Sequence, residues 1–163
     1  MSVILQITTG DSMLRVDIKS ALTTAMKGKD KQGVSTLRLI MAAIKDRDIA
    51  ARSKGVTDGI GDPEILSLMQ SMVKQRRESI EMYEKGGRME LAQQEAEEIS
   101  VIETFMPAQL SRDEAAAAID VAISATSAES IKDMGKVMGH LKGKFAGRMD
   151  FGKAGAAIKA RLS

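Results

Sequence analysis

The residues best placed to do chemistry are cationic and lie near the carboxyl end. Lys132, Lys136, Lys142, Lys144, Arg148 and Lys153 are interleaved with Gly135, Gly139, Gly143 and Gly147. From residue 140 onward six lysines and arginines face the single acid Asp150, a formal +5, whereas the whole chain carries +2. Cationic tips beside bare backbone are the chemistry of phosphate binding, because charge attracts a polyanion and glycine lets it come close. Read as one helix beginning after Ser130, with 100° per residue, Lys132, Lys136, Gly139 and Gly143 fall within about 60° of one another. Each glycine inside a helix costs roughly 1 kcal/mol relative to alanine, so the repetition needs a reason. Two reasons stay open. A neighbouring helix packs tightly on Gly135 and Gly139, or a nucleic-acid backbone lies against Gly139 and Gly143, with phosphates on Lys132, Lys136 and a basic loop from Lys142 to Arg148.

Other chemistries find less support. The chain has no cysteine and one histidine, which removes disulfides, thiolate nucleophiles and an imidazole metal cluster. His140 stands alone near a helix end and reads as an ordinary exposed residue. No serine sits in a G-x-S-x-G elbow, and the carboxylates fall at helix-surface spacings with no pair whose context splits their pKa values. Gly139 to Gly143-Lys144 is one residue short of a phosphate loop, lacks the following Ser or Thr, and comes after a helix where such a loop needs a strand. Phe145 and Phe151 could stack on unpaired bases, but in a segment this poor in large apolar groups they read better as core. We therefore expect no catalytic residue, no metal and no cofactor.

The elements that would hold the basic segment are helical, since no stretch alternates like a half-buried strand. A first helix, capped by Asp11 or Ser12, carries Val16, Ala21, Leu22 and Ala25 up to Gly28. A second starts after Asp30, has the stripe Val34, Leu37, Met41, Ile44 and Ala51, and ends at Ser53. Asp62-Pro63-Glu64 starts a third, the aspartate accepting orphan N–H groups and the proline standing where no donor is needed. It carries Ile65, Leu68, Met69, Met72, Ile80 and Tyr83 to Gly86-Gly87. The fourth holds Leu91, Ala92, Ile99, Ile102 and Phe105, with Pro107 as its stop. That proline is the expected boundary between a four-helix unit over 1–106 and a three-helix unit over 107–163. The second unit opens with the capping box Ser111 to Glu114 and places Ile119 and Ile123, then Met134, Met138 and Leu141, then Phe151, Ala154, Ile158 and Leu162 toward its core. With so few aromatics, twelve methionines help the aliphatics fill the interior.

In the first unit, Arg76 lies on the apolar row between Met72 and Ile80, and Asp48 between Ile44 and Ala51. In an antiparallel hairpin, a rise of 1.5 Å per residue puts Asp48 about 8 Å and Arg76 about 20 Å from the connecting loop, so the two should not meet. They read as unrelated polar residues at the edge of a bundle. Glu90, Glu95, Glu97, Glu98 and Glu103 read as a solvated acidic face.

Four groups of residues, in order and in register, resemble the GatB/YqeY family. They are Lys74-Gln75-Arg76-Arg77-Glu78-Ser79-Ile80, Tyr83-Glu84-Lys85-Gly86-Gly87-Arg88, Phe105-Met106-Pro107-Ala108-Gln109-Leu110-Ser111, and Lys132-Asp133-Met134-Gly135-Lys136-Val137-Met138-Gly139 with Gly147-Arg148-Met149-Asp150. The resemblance covers residues 12 to 163. It implies two helical parts, the second similar to the tail domain of the B subunit of the tRNA-dependent amidotransferase. In that enzyme the tail contacts transfer RNA, while amide release and carboxylate activation belong to domains absent here. Phe105-Met106 departs from the aromatic-leucine pair usual in relatives.

The resulting expectation is an all-α protein that binds tRNA or a tRNA-bearing complex without catalysing a reaction alone. The contact residues would be Lys132, Lys136, Lys142, Lys144, Arg148 and Lys153, with Gly139 and Gly143 admitting the backbone. One alternative is a glutamine-dependent tRNA amidotransferase (carbon-nitrogen ligase) component, and another is a helical adaptor for protein partners. No apolar run approaches the ~20 residues that span a bilayer. The start Met1-Ser2-Val3-Ile4-Leu5-Gln6-Ile7 lacks the basic region of a signal peptide, and cysteine-free composition fits a reducing compartment. Together these lead us to expect a cytoplasmic protein.

Overall fold

A computed structural model describes residues 12–163, and in that span the chain is all-helical, with seven α-helices, one 3-10 turn and no strand. The readings for Met1–Ile7 and for Asp11 as a cap lie outside the described residues. The helices are α1 (Met13–Lys27), α2 (Lys31–Arg52), α3 (Asp62–Lys85), α4 (Met89–Glu103), α5 (Arg112–Ala125), α6 (Met134–Phe145) and α7 (Phe151–Leu162). They fall into two compact units, one ending at Met106 and the other spanning Pro107–Ser163.

Local chemistry fixes most helix ends of the first unit. Ser12 caps α1 by accepting from the Arg15 N–H at 3.3 Å, and Asp30 caps α2 by accepting from the Gly33 N–H at 3.0 Å. Gly86 and Gly87 stop α3, Gly87 taking a φ of 71° that a side chain would resist. Asp62 departs from the expected role. Its carboxylate makes no cap bond to its own helix and instead accepts from the Ser12 hydroxyl at the start of α1. Helix α4 ends at Glu103, ahead of Pro107, so Phe105 packs on the core from the turn that follows.

The first core gathers Ile18, Leu37, Ile40, Ile44, Ile60, Ile65, Leu68, Met69, Met72, Val73, Ile99 and Ile102. On α1 the structure corrects the stripe by a fraction of a turn. Ile18 is the buried residue and Val16 is 49% exposed, so the inward face is Leu14, Ile18, Ala21, Leu22 and Ala25. Arg76 and Asp48 do not meet, yet neither is unpartnered. Asp48 takes both Arg15 guanidinium nitrogens, at 2.8 and 2.5 Å, and the Ile60 N–H at 2.8 Å, while Arg15 also donates to the Ile60 carbonyl at 3.1 Å. This closed knot pins the end of the glycine-rich 53–61 connection onto α1 and α2. The Arg15 hydrogen bonds, then the Ile60 N–H, hold the Asp48 carboxyl below its ordinary value, and the same pairing raises Arg15. Arg76 pairs with Glu98 at 2.9 Å, each side chain only 14% exposed. Glu98 thus leaves the acidic face assigned to it, because an inward-leaning guanidinium on α3 draws it in.

In the second unit, Ser111 and Glu114 form the expected capping box and Asp150 caps α7, accepting from Gly152 and Lys153 N–H groups at 2.9 and 3.1 Å. Its core is Ile119, Ala122, Val137, Leu141, Met149, Ala154 and Ile158, with Phe145 and Phe151 packed against it as partly buried residues. Two stretches far apart in sequence are stapled together here. The Gln109 side-chain amide donates to the Gly147 carbonyl, the Leu110 N–H to the Arg148 carbonyl at 2.8 Å, and the Arg148 Nε to the Ala108 carbonyl at 3.1 Å. Gly147 makes the turn with a φ of 75°.

Candidate nucleic-acid interface

Helix α6 carries the candidate surface. Val137 and Leu141 are fully buried on one side of it, with Met134, Met138 and Phe145 around them. The opposite side holds Gly135, Gly139 and Gly143, one turn apart. A Cβ built on any of the three meets nothing within 4 Å among the described residues, whereas one on Gly155 of α7 would touch Met134 at 3.4 Å. Among the described residues of the second unit, no neighbouring helix packs on Gly135 or Gly139. They leave a strip of helix backbone bare.

The cations around that strip are arranged differently from the expectation. Lys132 lies in the 3-10 turn Ile131–Asp133, not on the α-helix, so the 100° spacing does not place it over Lys136. The turn forms because Asp133 accepts from the Glu129 and Ser130 N–H groups, at 2.9 and 3.2 Å, which also lower its pKa. Lys136 projects beside Gly139 and Gly143. Its nearest acid is Asp133 at 3.8 Å, and its side chain is 70% exposed. Lys142 and Lys144 belong to the last turn of α6, not to a loop. Being two residues apart, they stand about 200° from each other across the exposed side, one on either flank of the glycine strip. Lys153 is exposed in the first turn of α7. Among the described residues none of Lys132, Lys142, Lys144 and Lys153 makes an ion pair within 4 Å.

Arg148 also has a structural task. Its Nε is committed to the Ala108 carbonyl and its guanidinium lies 5.8 Å from the Phe145 ring centre, so its first task is to hold the unit together. The Gly147-Arg148-Met149-Asp150 motif is explained by the fold residue by residue as a left-handed turn, a clamp, a core side chain and a helix cap. Arg161 pairs with Asp120 and is removed from the free positive charge. His140 is not the exposed residue expected. It is half-buried in α6, and its Nε2 is out of water with no hydrogen-bond partner. Among the described residues no group of three or more His, Cys, Asp or Glu is arranged to hold a metal, and no helix is long and apolar enough to cross a membrane.

A basic cluster outside the tail escaped the sequence reading. Lys27, Lys29, Lys31 and Arg38 stand at the α1–α2 turn with Asp30 as the one acid among them, and Asp30 is engaged as a helix cap. Its signal, four cations in twelve residues, was present in the sequence but masked by the larger excess at the end of the chain.

Comparison with known proteins gives the relatives. The chain is 37% identical over 91 residues to the Altered inheritance of mitochondria protein 41, mitochondrial, of Eremothecium gossypii, a match covering 56% of this chain and 48% of that protein. It is 28% identical over 91 residues to the protein of the same name in Kluyveromyces lactis, covering 56% and 47% respectively. An uncharacterized protein of Schizosaccharomyces pombe is 30% identical over 94 residues, 58% of this chain and 72% of the relative. The match thus spans about half the length of the two mitochondrial relatives. Their names overturn the cytoplasmic expectation. That expectation rested on absent cysteine and on the lack of a signal peptide, and relatives named as mitochondrial show that such a sequence does not mark the cytoplasm. The YqeY-like protein family matches residues 15–162, nearly the whole chain, and this protein belongs to it.

Proposed function

We propose that the chain binds tRNA, or a complex that carries tRNA, through its C-terminal unit, and that α5, α6 and α7 are the counterpart of the amidotransferase tail domain to which the sequence is similar. One observation carries the reading. Three glycines in register leave the outer face of α6 bare, and Lys136, Lys142 and Lys144 border it without a close carboxylate except Asp133. Three such glycines cost about 3 kcal/mol of helix stability relative to alanine, a cost that close approach of a phosphodiester backbone to the helix explains. Lys132 and Lys153 extend the positive field to either side. The surface is convex and has no exposed aromatic for stacking, which favours contact with phosphates and duplex shape over reading of unpaired bases. Gly139 and Gly143 admit the backbone, Lys136, Lys142 and Lys144 contact phosphates, and Arg148 contributes by holding the α6–α7 turn.

The test is a tRNA titration at several salt concentrations. The logarithm of the affinity should fall linearly with the logarithm of salt, with a slope of roughly 0.7 to 0.9 per phosphate contact. Salt-independent binding, or none at low salt, would overturn the proposal. Ammonia release from glutamine by the purified chain, surviving removal of the α6 lysines, would favour an amidotransferase component instead.

A further inference from the structure

The near-neutral total of the chain hides a sorting of charge within the first unit. Between residues 12 and 54, the span of α1 and α2, ten lysines and arginines stand against four acids. Between 62 and 103, the span of α3 and α4, five stand against ten. A surface charged only for solubility intersperses the two signs. The excess on α2 is also ordered. Lys31, Arg38, Lys45 and Arg52 recur every seven residues, and each such step turns the helix by only about 20°, so all four fall within an arc of about 60°. Ser35, Ala42 and Ile49 alternate with them on the same side. All seven are exposed, while the buried Gly33, Thr36, Leu37, Ile40 and Ile44 hold the opposite side. At 1.5 Å per residue the cations stand about 10.5 Å apart along a straight ridge of about 32 Å.

Among the described residues none of the four makes an ion pair within 4 Å. Lys31 and Arg38 have no acid three or four positions away on the helix. The one acid so placed for Lys45 and Arg52 is Asp48, which is held by Arg15 and the Ile60 N–H. Asp46, the other acid of α2, stands about 100° round the helix from Lys45. Lys31 shares a cleft with Glu90, Glu97 and Glu98 of α4, but Arg88 takes Glu90, Arg76 takes Glu98, and Glu97 accepts from Gln32 and Gln93. Lys31 also lies in the first turn of α2, where a cation opposes the helix dipole and no acid offsets it.

We infer that this ridge of α2 is a second contact surface for nucleic acid, taking the phosphate backbone of a duplex. The inference does not rest on the reading of α6, since a different unit and a different pattern carry it. A straight row of cations needs an anion that is straight and densely charged over the same length. A duplex carries a charge about every 1.7 Å of its axis, about nineteen along 32 Å, so every cation on the row finds a phosphate whatever the base sequence. The row has no aromatic residue on which unpaired bases could stack, which disfavours a single strand. A protein partner would look for an apolar centre in which lysine is depleted, and between the cations the ridge offers two small residues and one isoleucine. A bilayer would take an apolar helix face, and that face of α2 is already spent on the core.

The experiment uses the full chain and a fluorescein-labelled RNA duplex of about 20 base pairs, titrated by anisotropy at several salt concentrations. The ridge variant carries Lys31→Gln, Arg38→Gln and Lys45→Gln. A control variant loses the same charge elsewhere on the first unit, through Lys19→Gln, Lys74→Gln and Lys85→Gln. A tail variant carries Lys136→Ala, Lys142→Ala and Lys144→Ala. All these side chains are exposed, so each variant should keep the parent melting temperature. The ridge variant should bind the duplex at least tenfold more weakly at low salt, and its salt slope should fall by about 2 to 3, close to 0.9 for each contact removed. The control variant should lose much less. The ridge substitutions should cause the same loss when added to the tail variant. If the tail variant alone abolishes duplex binding, the inference about α2 falls and the function proposed for α6 stands. If the ridge variant abolishes it and the tail variant binds like the parent, the α2 surface stands and the α6 reading falls. Equal losses in the ridge and control variants would overturn the inference, because net charge alone would then explain them. So would ridge-dependent binding to vesicles of phosphatidylserine and phosphatidylcholine with none to the duplex.

Discussion

Replacing Gly139 and Gly143 together by alanine separates a structural purpose for the bare face of α6 from a binding purpose. No neighbouring atom lies within 4 Å of either new Cβ. Both sites are helical, so each substitution should stabilise the helix by about 1 kcal/mol. About 2 kcal/mol in a unit as small as Pro107–Ser163 corresponds to a rise of roughly 8 to 16 °C in its melting temperature. Binding should move the other way. Two methyl groups hold a phosphodiester off the backbone and push its charge from about 4 to about 6 Å from the flanking ammonium groups. At an effective dielectric constant of about 40, each such retreat costs about 0.7 kcal/mol, and two make about a tenfold loss of affinity. Calorimetry of the free protein and a tRNA titration at fixed low salt measure the two effects on the same sample. A double variant that melts lower would mean that the glycines pack against something. A variant that melts higher and binds tRNA unchanged would remove α6 from the interface. Only opposite signs support contact between the bare face of α6 and a phosphodiester backbone.

The polar knot and the tail make further predictions. Arg15→Ala strands Asp48 with the Ile60 N–H alone and should cost about 2 to 3 kcal/mol in urea unfolding, less than a fully buried pair because each side chain keeps about a fifth of its surface in water. Asp48 has a folded pKa below its ordinary 3.8, so its contribution is present above that value and is lost as pH falls through the folded pKa. Asp48→Asn should therefore flatten the acid limb of the stability curve and leave neutral-pH slopes unaltered. Lys142→Ala and Lys144→Ala should each leave stability within about 0.5 kcal/mol and reduce the salt slope of tRNA binding by roughly 0.7 to 0.9. Arg148→Ala should instead lower stability by about 1 to 2 kcal/mol, because it breaks the bond to the Ala108 carbonyl and the contact with Phe145. His140→Leu removes a buried, unpartnered nitrogen and should stabilise the second unit by about 1 kcal/mol in thermal unfolding, with tRNA affinity unchanged.

Helix boundaries were legible because their causes are local. Asp30, the Ser111 to Glu114 box, Asp150 and the Gly86-Gly87 pair each act within a few residues of where they stand. What was hidden depends on partners distant in sequence. Nothing near Asp48 reveals that Arg15 will reach it, since Arg15 lies at the start of a helix whose register the sequence left half a face uncertain. Glu98 looked like one acid among several because its distinguishing neighbour, Arg76, sits on another helix. The all-helical class was plain from spacing, and the glycines and lysines of the tail stood out as unusual. Their arrangement was not legible. A 3-10 turn at Ile131–Asp133 breaks the regular spacing before α6 begins, and the extension of α6 to Phe145 turns a supposed basic loop into two flanks of a rod. Arg148 looks wholly free in sequence, yet its Nε is committed to a carbonyl forty positions away.

The staple between residues 108–110 and 147–148 bears on how the small unit comes apart. It fastens the entry segment of the unit to the turn before its last helix, closing a ring of about forty residues that contains α5 and α6. Swinging the α5–α6 pair away from the 147–148 turn must break that ring, whereas α7 begins beyond it and is tied back to α5 by the Arg161–Asp120 pair. Amide exchange in α5 and α6 should therefore proceed by one shared opening, while α7 can loosen first from its carboxyl end. In a segment poor in aromatics and near the minimum size for an independent core, three hydrogen bonds at one corner thus couple two helices that contact each other over a small area.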